Sequence, residues 1–486
     1  MKKFVFYILA LLCMPLVMAQ EFGTGLILDD EAYAKIPAKP NNVSFFDDLA
    51  DITRASLRDY VPVVRSQGGY GTCTGWASAY YGRTIVEAKQ RGITNQEEIN
   101  EIAFHPIFTY LNAASDENKV NCQKGAGMDQ AMRSLRDDGS PYFKDYEAQF
   151  CDDNIPQSVV EKARVNTIQE YRRVITGGED NLVRVENVKR AIHHGNPVVI
   201  GFALEKSFNV AKGVLVPDNL GPYGFHAMCV VGFDDEKYGG AFEIVNSWGT
   251  NWGNNGYIWV KYDDFTAFTK YALEIVPKPK PVEEVYQSLA GELRIQLRGG
   301  KEMKVARGDT KFKKSVLGWQ DVVKETDTED KTVGDYRTAE AYPKETKYQI
   351  YAKVDQPSYM YVMYADSDGD NGVLFPNPDN PEIVSSYFDN TEAELIIPGE
   401  DYYFRLNSDV ASDYTIVLFS ADELDIASIN EKLDGLEGDL MDKLYVLFND
   451  ELIDKSAIEM AADKMKFNAK FKEGSVAMMV LDIKRS

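Results

Sequence analysis

Cys73 lies in QGGYGTCTGW, Gln67 to Trp76, a stretch with four glycines and no charge. A thiol attacks a carbonyl only as thiolate, and a free cysteine is mostly protonated at neutral pH. It therefore needs a basic partner or a helix N-terminus. A Gly-rich loop running into a predicted helix supplies the second, through unpaired backbone N–H groups and the helix dipole. The glycines also let another chain come close. The base must be a histidine, and there are four: His105, His193, His194 and His226. His226 opens a predicted strand in GFHAMCVVGF, and Asn246, twenty residues later, begins NSWGTNWGNNGYI. An asparagine amide can hold an imidazole in one tautomer, and the indole of Trp248 can keep water off that bond. Gln67 could donate to the oxyanion of a tetrahedral intermediate together with the N–H of Cys73. His105, His193 and His194 read as ordinary surface or helix-end residues. Cys229, in an apolar strand, reads as a buried inert thiol.

These side chains need a frame. From Cys73 onward, TGWASAYYGRTIVEAKQRG has apolar and aromatic residues at helical spacing and a stop at Gly92. AMRSLRDDG, closed by Gly139, and VENVKRAIHHG, closed by Gly195, predict two more helices. The period then shortens. PVVIGFAL, FHAMCVVGF, GAFEIVNSW and GYIWVKY are short, rich in β-branched and aromatic residues, and broken by Gly and Asp. Helices followed by strands predict an α+β domain.

A chain of 486 residues is long enough for two or three cores. Its formal net charge of −23 argues against nucleic acid and anionic membrane surfaces as partners. Lys2 and Lys3, the run FVFYILALLCMPLVM and a small residue at Ala19 predict a signal peptide over residues 1–19. Cys13 follows Leu11 and Leu12 rather than the small residues of a lipoprotein signal. The run is short for a membrane span and no later segment reaches that length, so no transmembrane segment is expected. The expected location is exported, periplasmic or secreted, where disulfides persist. Four cysteines then remain, and they allow three full pairings. Residues 20–54, with IPAKPNN, predict an extended N-terminal arm. A sequon at Asn42 would matter only in a eukaryotic secretory host. Pro277, Pro279 and Pro281 mark a linker over residues 277–284. Beyond it KYQIYAKV, SYMYVMYAD, AELIIPG, YYFRLN and YTIVLFS predict a β-rich domain over 285–486, with a mixed α/β tail. Asp366, Asp368 and Asp370 alternate as in part of a calcium loop. The bidentate acid is absent from its place, and flanking strands favour a hairpin turn.

QGGYGTC, HAMCVVGF and NSWGTNWGNNGYIWVK, in that order, resemble the three signature blocks of the papain-like cysteine peptidases. GAGMDQAM resembles the block that lines their substrate cleft, and VKRAIHHGNPVVIGFAL the helix and strand before their histidine. The resemblance covers residues 55–276. It implies a papain-like two-lobed domain, a helical lobe and a β lobe, that hydrolyses protein or peptide substrates with no cofactor and no metal. By this resemblance Cys73 is the nucleophile, His226 the general acid/base, Asn246 its orienter and Gln67 the oxyanion donor. Trp248 is similar to the aromatic cover of the Asn–His pair. It is grouped with Gly125 and Met128 on the substrate side, Met128 lining an apolar pocket for the second residue on the acyl side of the cut. Cys122 and Cys151 resemble a family disulfide. Three features depart from the pattern. Thr74 stands where an aromatic usually follows the nucleophile, Tyr70 replaces a cysteine, and the long helical propeptide is missing. YMYVMYADSDGDNGVLFPNPDNP resembles a β-rich accessory domain of uncharacterised function beside peptidases in exported bacterial proteins, with an expected task in surface or partner contact. Two other functions compete: an aminopeptidase or transpeptidase on the same scaffold, and a binding or adhesion protein with a vestigial peptidase domain. An intact set of Gln67, Cys73, His226 and Asn246 favours catalysis.

Overall fold

The computed structural model describes residues 22–39, 52–147, 151–279, 287–308, 311–315, 318–322, 334–377, 384–407 and 409–486. The expected leader with Cys13, the Asn42 sequon and the linker from residue 280 fall outside them.

The helix that starts at Cys73 runs as Cys73–Gly75, a π-helical stretch Trp76–Arg83, and Thr84–Arg91. It stops at Gly92, whose φ of +68° suits a residue without a Cβ, and the Gly92 N–H donates back to the Ala88 and Lys89 carbonyls. The helix is buried on all sides from Cys73 to Ala88, because two glycines let it lie against a neighbour on either flank. A Cβ at Gly75 would stand 2.1 Å from the Pro106 carbonyl oxygen of helix Pro106–Ala113. A Cβ at Gly82 would stand 2.9 Å from Val199 of strand Val198–Leu204. The helix is thus the wall between a helical lobe and a sheet.

That sheet has seven strands, all antiparallel. Its order is Glu170–Arg173, Thr269–Val276, Val198–Leu204, Gly224–Asp234, Ala241–Val245 and Tyr257–Lys261, with Arg54–Ser56 also on Gly224–Asp234. The central strands read as continuous apolar runs because both of their faces are buried. In the helical lobe Cys122 and Cys151 form a disulfide with a Cα–Cα distance of 5.7 Å. Cys73 and Cys229 are free and buried.

Two large sheets dominate the C-terminal region, beside a two-stranded one of Lys311–Ser315 and Gly318–Val322. Gln287–Leu297, Lys347–Val354 and Met465–Phe471 lie in one, and Ser358–Asp366, Ser412–Ser420 and Val476–Lys484 in the other. Their inner faces share a core that includes Ile295, Ile350, Val417 and Met479. Helices Ile426–Asp434 and Leu440–Phe448 cover the outer face of the second sheet, in a cluster that also takes in Val276 of the N-terminal sheet. The Asp366 stretch is a hairpin turn between antiparallel strands, with the Asp366 carboxylate accepting from the Asp368 and Asp370 N–H groups at 2.9 and 3.0 Å.

Two local expectations change. The arm is not extended throughout, since Asp30–Ala34 forms a helix capped by Asp29, which accepts from the Ala32 N–H at 2.9 Å. His105 is not a surface residue. It is buried, and its Nδ1 caps helix Pro106–Ala113 by accepting from the Phe108 N–H.

Candidate active site

Cys73 opens its helix with the sulfur fully buried. The N–H groups of Ala227, Gly25, Thr74 and Cys73 itself reach that sulfur and favour a thiolate, but burial outweighs them and pushes the thiol up to about 11. Ala227 follows His226, so the sulfur lies against the strand that carries the imidazole. Asn246 stands just past strand Ala241–Val245, with its N–H on the Gly256 carbonyl at 3.0 Å. Its Oδ1 is 2.7 Å from His226 Nε2 and also accepts from the Ser247 N–H. An Oδ1 can only accept, so His226 Nε2 carries the proton and Nδ1 is the free base. Nδ1 is buried and has no hydrogen-bond partner among the described residues. Burial holds His226 down at about 4, only partly offset by Asn246. Trp248 lies over the imidazole at 4.8 Å between ring centroids.

Gln67 reaches the same place from the loop before the helix. Its N–H donates to the Ser247 carbonyl at 2.8 Å, and the Ser247 hydroxyl donates to its Oε1 at 2.5 Å. The Gln67 amide is therefore turned so that Nε2 faces the cleft. Tyr81, two turns into the Cys73 helix, donates its hydroxyl to the Asn246 carbonyl at 3.1 Å and ties helix to sheet. Neither Ser247 nor Tyr81 had a signal in the sequence beyond adjacency and helical spacing.

The cleft is filled by the chain's own arm. Gln67 Nε2 and Trp248 Nε1 both donate to the Gly23 carbonyl, at 3.2 and 3.0 Å. Phe22 stacks on Trp248 at 4.5 Å. Leu26–Ile27 pairs in parallel with Ala126–Gly127, and the Ala126 N–H donates to the Gly25 carbonyl at 2.9 Å. Leu26 is buried; a Cβ built on Gly201 would stand 2.8 Å from Leu26 Cδ2 and 3.1 Å from Met128 Sδ. Met128, Gly201 and Tyr271 thus bound an apolar pocket that holds Leu26. A Cβ on Gly125 would come within 1.6 Å of the Gly25 carbonyl oxygen, so Gly125 is what lets the arm lie flat. The arm is anchored further on by Tyr33, which stacks on Tyr271 at 4.2 Å and donates its hydroxyl to the Ile175 carbonyl at 2.5 Å. The stretch FGTGLIL carried no recognisable signal of this role, since its glycines and leucines mean something only opposite Gln67 and Met128.

The arm lies over the sulfur. What it presents to Cys73 is the Gly25 N–H.

The buried imidazoles set a pH response. His226 and His105 are both held down at about 4 by burial, from an ordinary 6.5. The unfolded chain therefore binds more protons between those values. Stability is fully present above pH 6.5 and is lost as pH falls toward 4, by up to about 3 kcal/mol per histidine. Thermal unfolding midpoints are expected to fall from pH 7 to pH 5, ahead of the ordinary carboxylate range. A flat profile over that interval would contradict the burial of these rings.

The structure brings together Gln67, Cys73, His226, Asn246, Trp248, Met128 and Gly125 in one cleft, with the Cys122–Cys151 disulfide in the lobe behind it. His193 and His194 lie at a helix end away from it. Among proteins of known sequence, the chain is 30% identical over 207 residues to an uncharacterized peptidase C1-like protein of Acanthamoeba polyphaga mimivirus, covering 40% of this chain and 63% of that one. It is 28% identical over 240 residues to cathepsin K of Gallus gallus, covering 45% and 62%. Cysteine proteinase RD21A of Arabidopsis thaliana is 26% identical over 240 residues, covering 48% and 46%. The chain thus spans about half to two thirds of the length of these relatives. Among solved structures, xylellain, a cysteine protease from Xylella fastidiosa, aligns with 54% of this chain and 97% of its own, at 21% identity and a TM-score of 0.43. The segment that carries Cys73, His226 and Asn246, residues 54–273, matches the family model of the papain family cysteine proteases.

Proposed function

We propose that this protein is an exported cysteine endopeptidase, held latent by its own arm. The observation that carries the reading is a polypeptide backbone lying across Cys73, with one of its carbonyls on the Gln67 Nε2 donor. A substrate in that position completes the chemistry. With the arm gone and water admitted, His226 Nδ1 takes the Cys73 proton, and the thiolate adds to the scissile carbonyl carbon. Gln67 Nε2 and the Cys73 N–H bind the oxyanion. His226 returns the proton to the leaving nitrogen, whose bond to carbon breaks, leaving an acyl-enzyme. Water then adds to the acyl carbon and gives its proton to His226; the acid leaves and the thiol is restored. Asn246 keeps the imidazole in the tautomer that does this.

An endopeptidase is favoured over an aminopeptidase because the arm continues on both sides of Cys73, Phe22 and Gly23 on one and Leu26 and Ile27 on the other. The pocket around Leu26 supports a preference for an apolar residue two places before the cut. Export is supported by the leader-like N-terminus together with the disulfide.

The test is labelling by an epoxide thiol reagent in protein freed of the arm. Cys73 is expected to label rapidly at neutral pH, and His226→Ala is expected to abolish both labelling and peptide turnover. Asn246→Ala removes a positioning group only and should retain a small rate. Equal loss in two folded variants, or no labelling of the wild type, would overturn the reading.

A further inference from the structure

Among the described residues, the β sandwich meets the arm at Ala38. Ala38 is bridged in parallel to Arg173 at the sheet edge and to Val384 of the sandwich. On the peptidase side the Arg173 N–H donates to the Pro37 carbonyl at 2.8 Å, and the Lys39 N–H to the Arg173 carbonyl at 3.0 Å. On the sandwich side the Ser385 N–H donates to the Ala38 carbonyl at 3.1 Å. The arm is therefore a strand-like filling between two domains, and Ala38 is buried there.

A charge cluster closes the junction. Arg172 is fully buried; it bonds Asp389 at 2.9 Å and the Tyr387 carbonyl at 2.7 Å, both in the sandwich, and also pairs with Glu170. Glu170 in turn accepts from the Ser385 hydroxyl at 2.7 Å. Lys39 of the arm pairs with buried Glu274 at 2.8 Å, next to Arg172. Lys39 and Arg172 together hold the Asp389 carboxyl below its ordinary value, though burial alone would raise it. Removing any one member leaves a buried charge short of its partner. A cavity of about 580 Å³, bounded by Lys35 and Ile36 of the arm, Arg133 and Glu170 of the peptidase, and Tyr359 and Glu423 of the sandwich, lies beside the arm helix.

We infer that the β sandwich is the latch of the latent form. Through Ser385 and Asp389 it holds residues 36–39 of the arm against the sheet edge, so whatever draws the sandwich from the peptidase also loosens the arm from Cys73. This rests on the reading of the arm-filled cleft as latent. It makes the C-terminal region a regulator of the N-terminal one, with the arm as the shared element both domains bias.

Release is read without catalysis, by alkylating Cys73 with iodoacetamide in the full-length chain and mapping the modified peptide. Ser385→Pro removes the donor to Ala38, and Asp389→Asn removes the carboxylate charge that faces Arg172. In each, with the fold retained by near-ultraviolet circular dichroism, alkylation is expected to quicken about tenfold or more, and turnover of a small peptide to rise with it. Faster alkylation without turnover would uphold the latch and overturn the peptidase. Unchanged alkylation in both variants, when Leu26→Asp does accelerate it, would overturn the latch. Should the variants not fold, hydrogen exchange of the unaltered chain decides. The Ser385 and Ala126 amides both end on the arm and are expected to lose protection together, within about threefold in rate. Ala126 exchanging far ahead of Ser385 would mean that the cleft opens with the latch still closed, and the inference would fail.

Discussion

Leu26→Asp is expected to raise the rate of Cys73 alkylation in the full-length chain by about 100-fold or more, and peptide turnover by a similar factor. Leu26 is buried in the pocket bounded by Met128, Gly201 and Tyr271. Replacing it forfeits about 2 kcal/mol of apolar burial. An ionised carboxylate among Met128, Gly201 and Tyr271 adds several kcal/mol of desolvation cost. Together these shift the closed-to-open balance by well over two decades. Tyr33 and the junction at Ala38 are untouched, so the rest of the arm stays docked and the fold should persist. Alkylation at the wild-type rate in folded protein would show that the cleft is not closed by Leu26 and its neighbours.

Cys73→Ala in that opened background is expected to lower turnover by at least about 10³-fold, since the covalent step has no other nucleophile to fall back on. Cys229, the other free thiol among the described residues, is buried with its sulfur turned to the Val230 carbonyl and is raised still further by burial. The substitution removes one sulfur from a well-packed site and should cost the fold no more than about 1–2 kcal/mol. The measurement is steady-state cleavage of a peptide with an apolar residue two places before the cut, alongside a thermal melt. Activity above about a tenth of the parent's in a protein with an unchanged melt would remove Cys73 from the chemistry.

The residues proposed to carry the reaction could be picked out in the chain because chemistry narrows the choice of residue. A thiol beside glycines at a helix start, a histidine opening a strand and an asparagine before a tryptophan form short local patterns. The helix from Cys73 and its stop at Gly92 followed from spacing alone, as did the runs of the central sheet. Other features depend on partners far along the chain. Phe22–Leu28 is unremarkable until Gly23 meets Gln67 and Trp248. His105, expected as a surface or helix-end residue, does cap a helix, but its burial was hidden because nothing nearby shows that the helical lobe encloses it. The C-terminal strands were visible as apolar runs, but their division into two sheets was not. Gln287–Leu297 pairs with Met465–Phe471, and pairing at that separation leaves no local trace. The junction at Ala38 was hidden for the same reason. Val384 and Asp389 matter only because the fold returns them to the arm.

The glycines of the arm bear on how latency can be broken. A Cβ at Gly23 would stand 2.1 Å from the Tyr70 carbonyl oxygen, and one at Gly25 would stand 2.2 Å from the Gly71 carbonyl oxygen. A chain bearing side chains at those two places cannot sink as deep as the arm does. It would have to ride higher in the groove and give up part of the backbone contact. The arm is also tethered, so its local concentration stays high however much free peptide is added. Crowding the protein with substrate should accordingly do little to wake it. Onset of activity should follow the arm's own departure and be nearly independent of peptide concentration, as a lag rather than a competition.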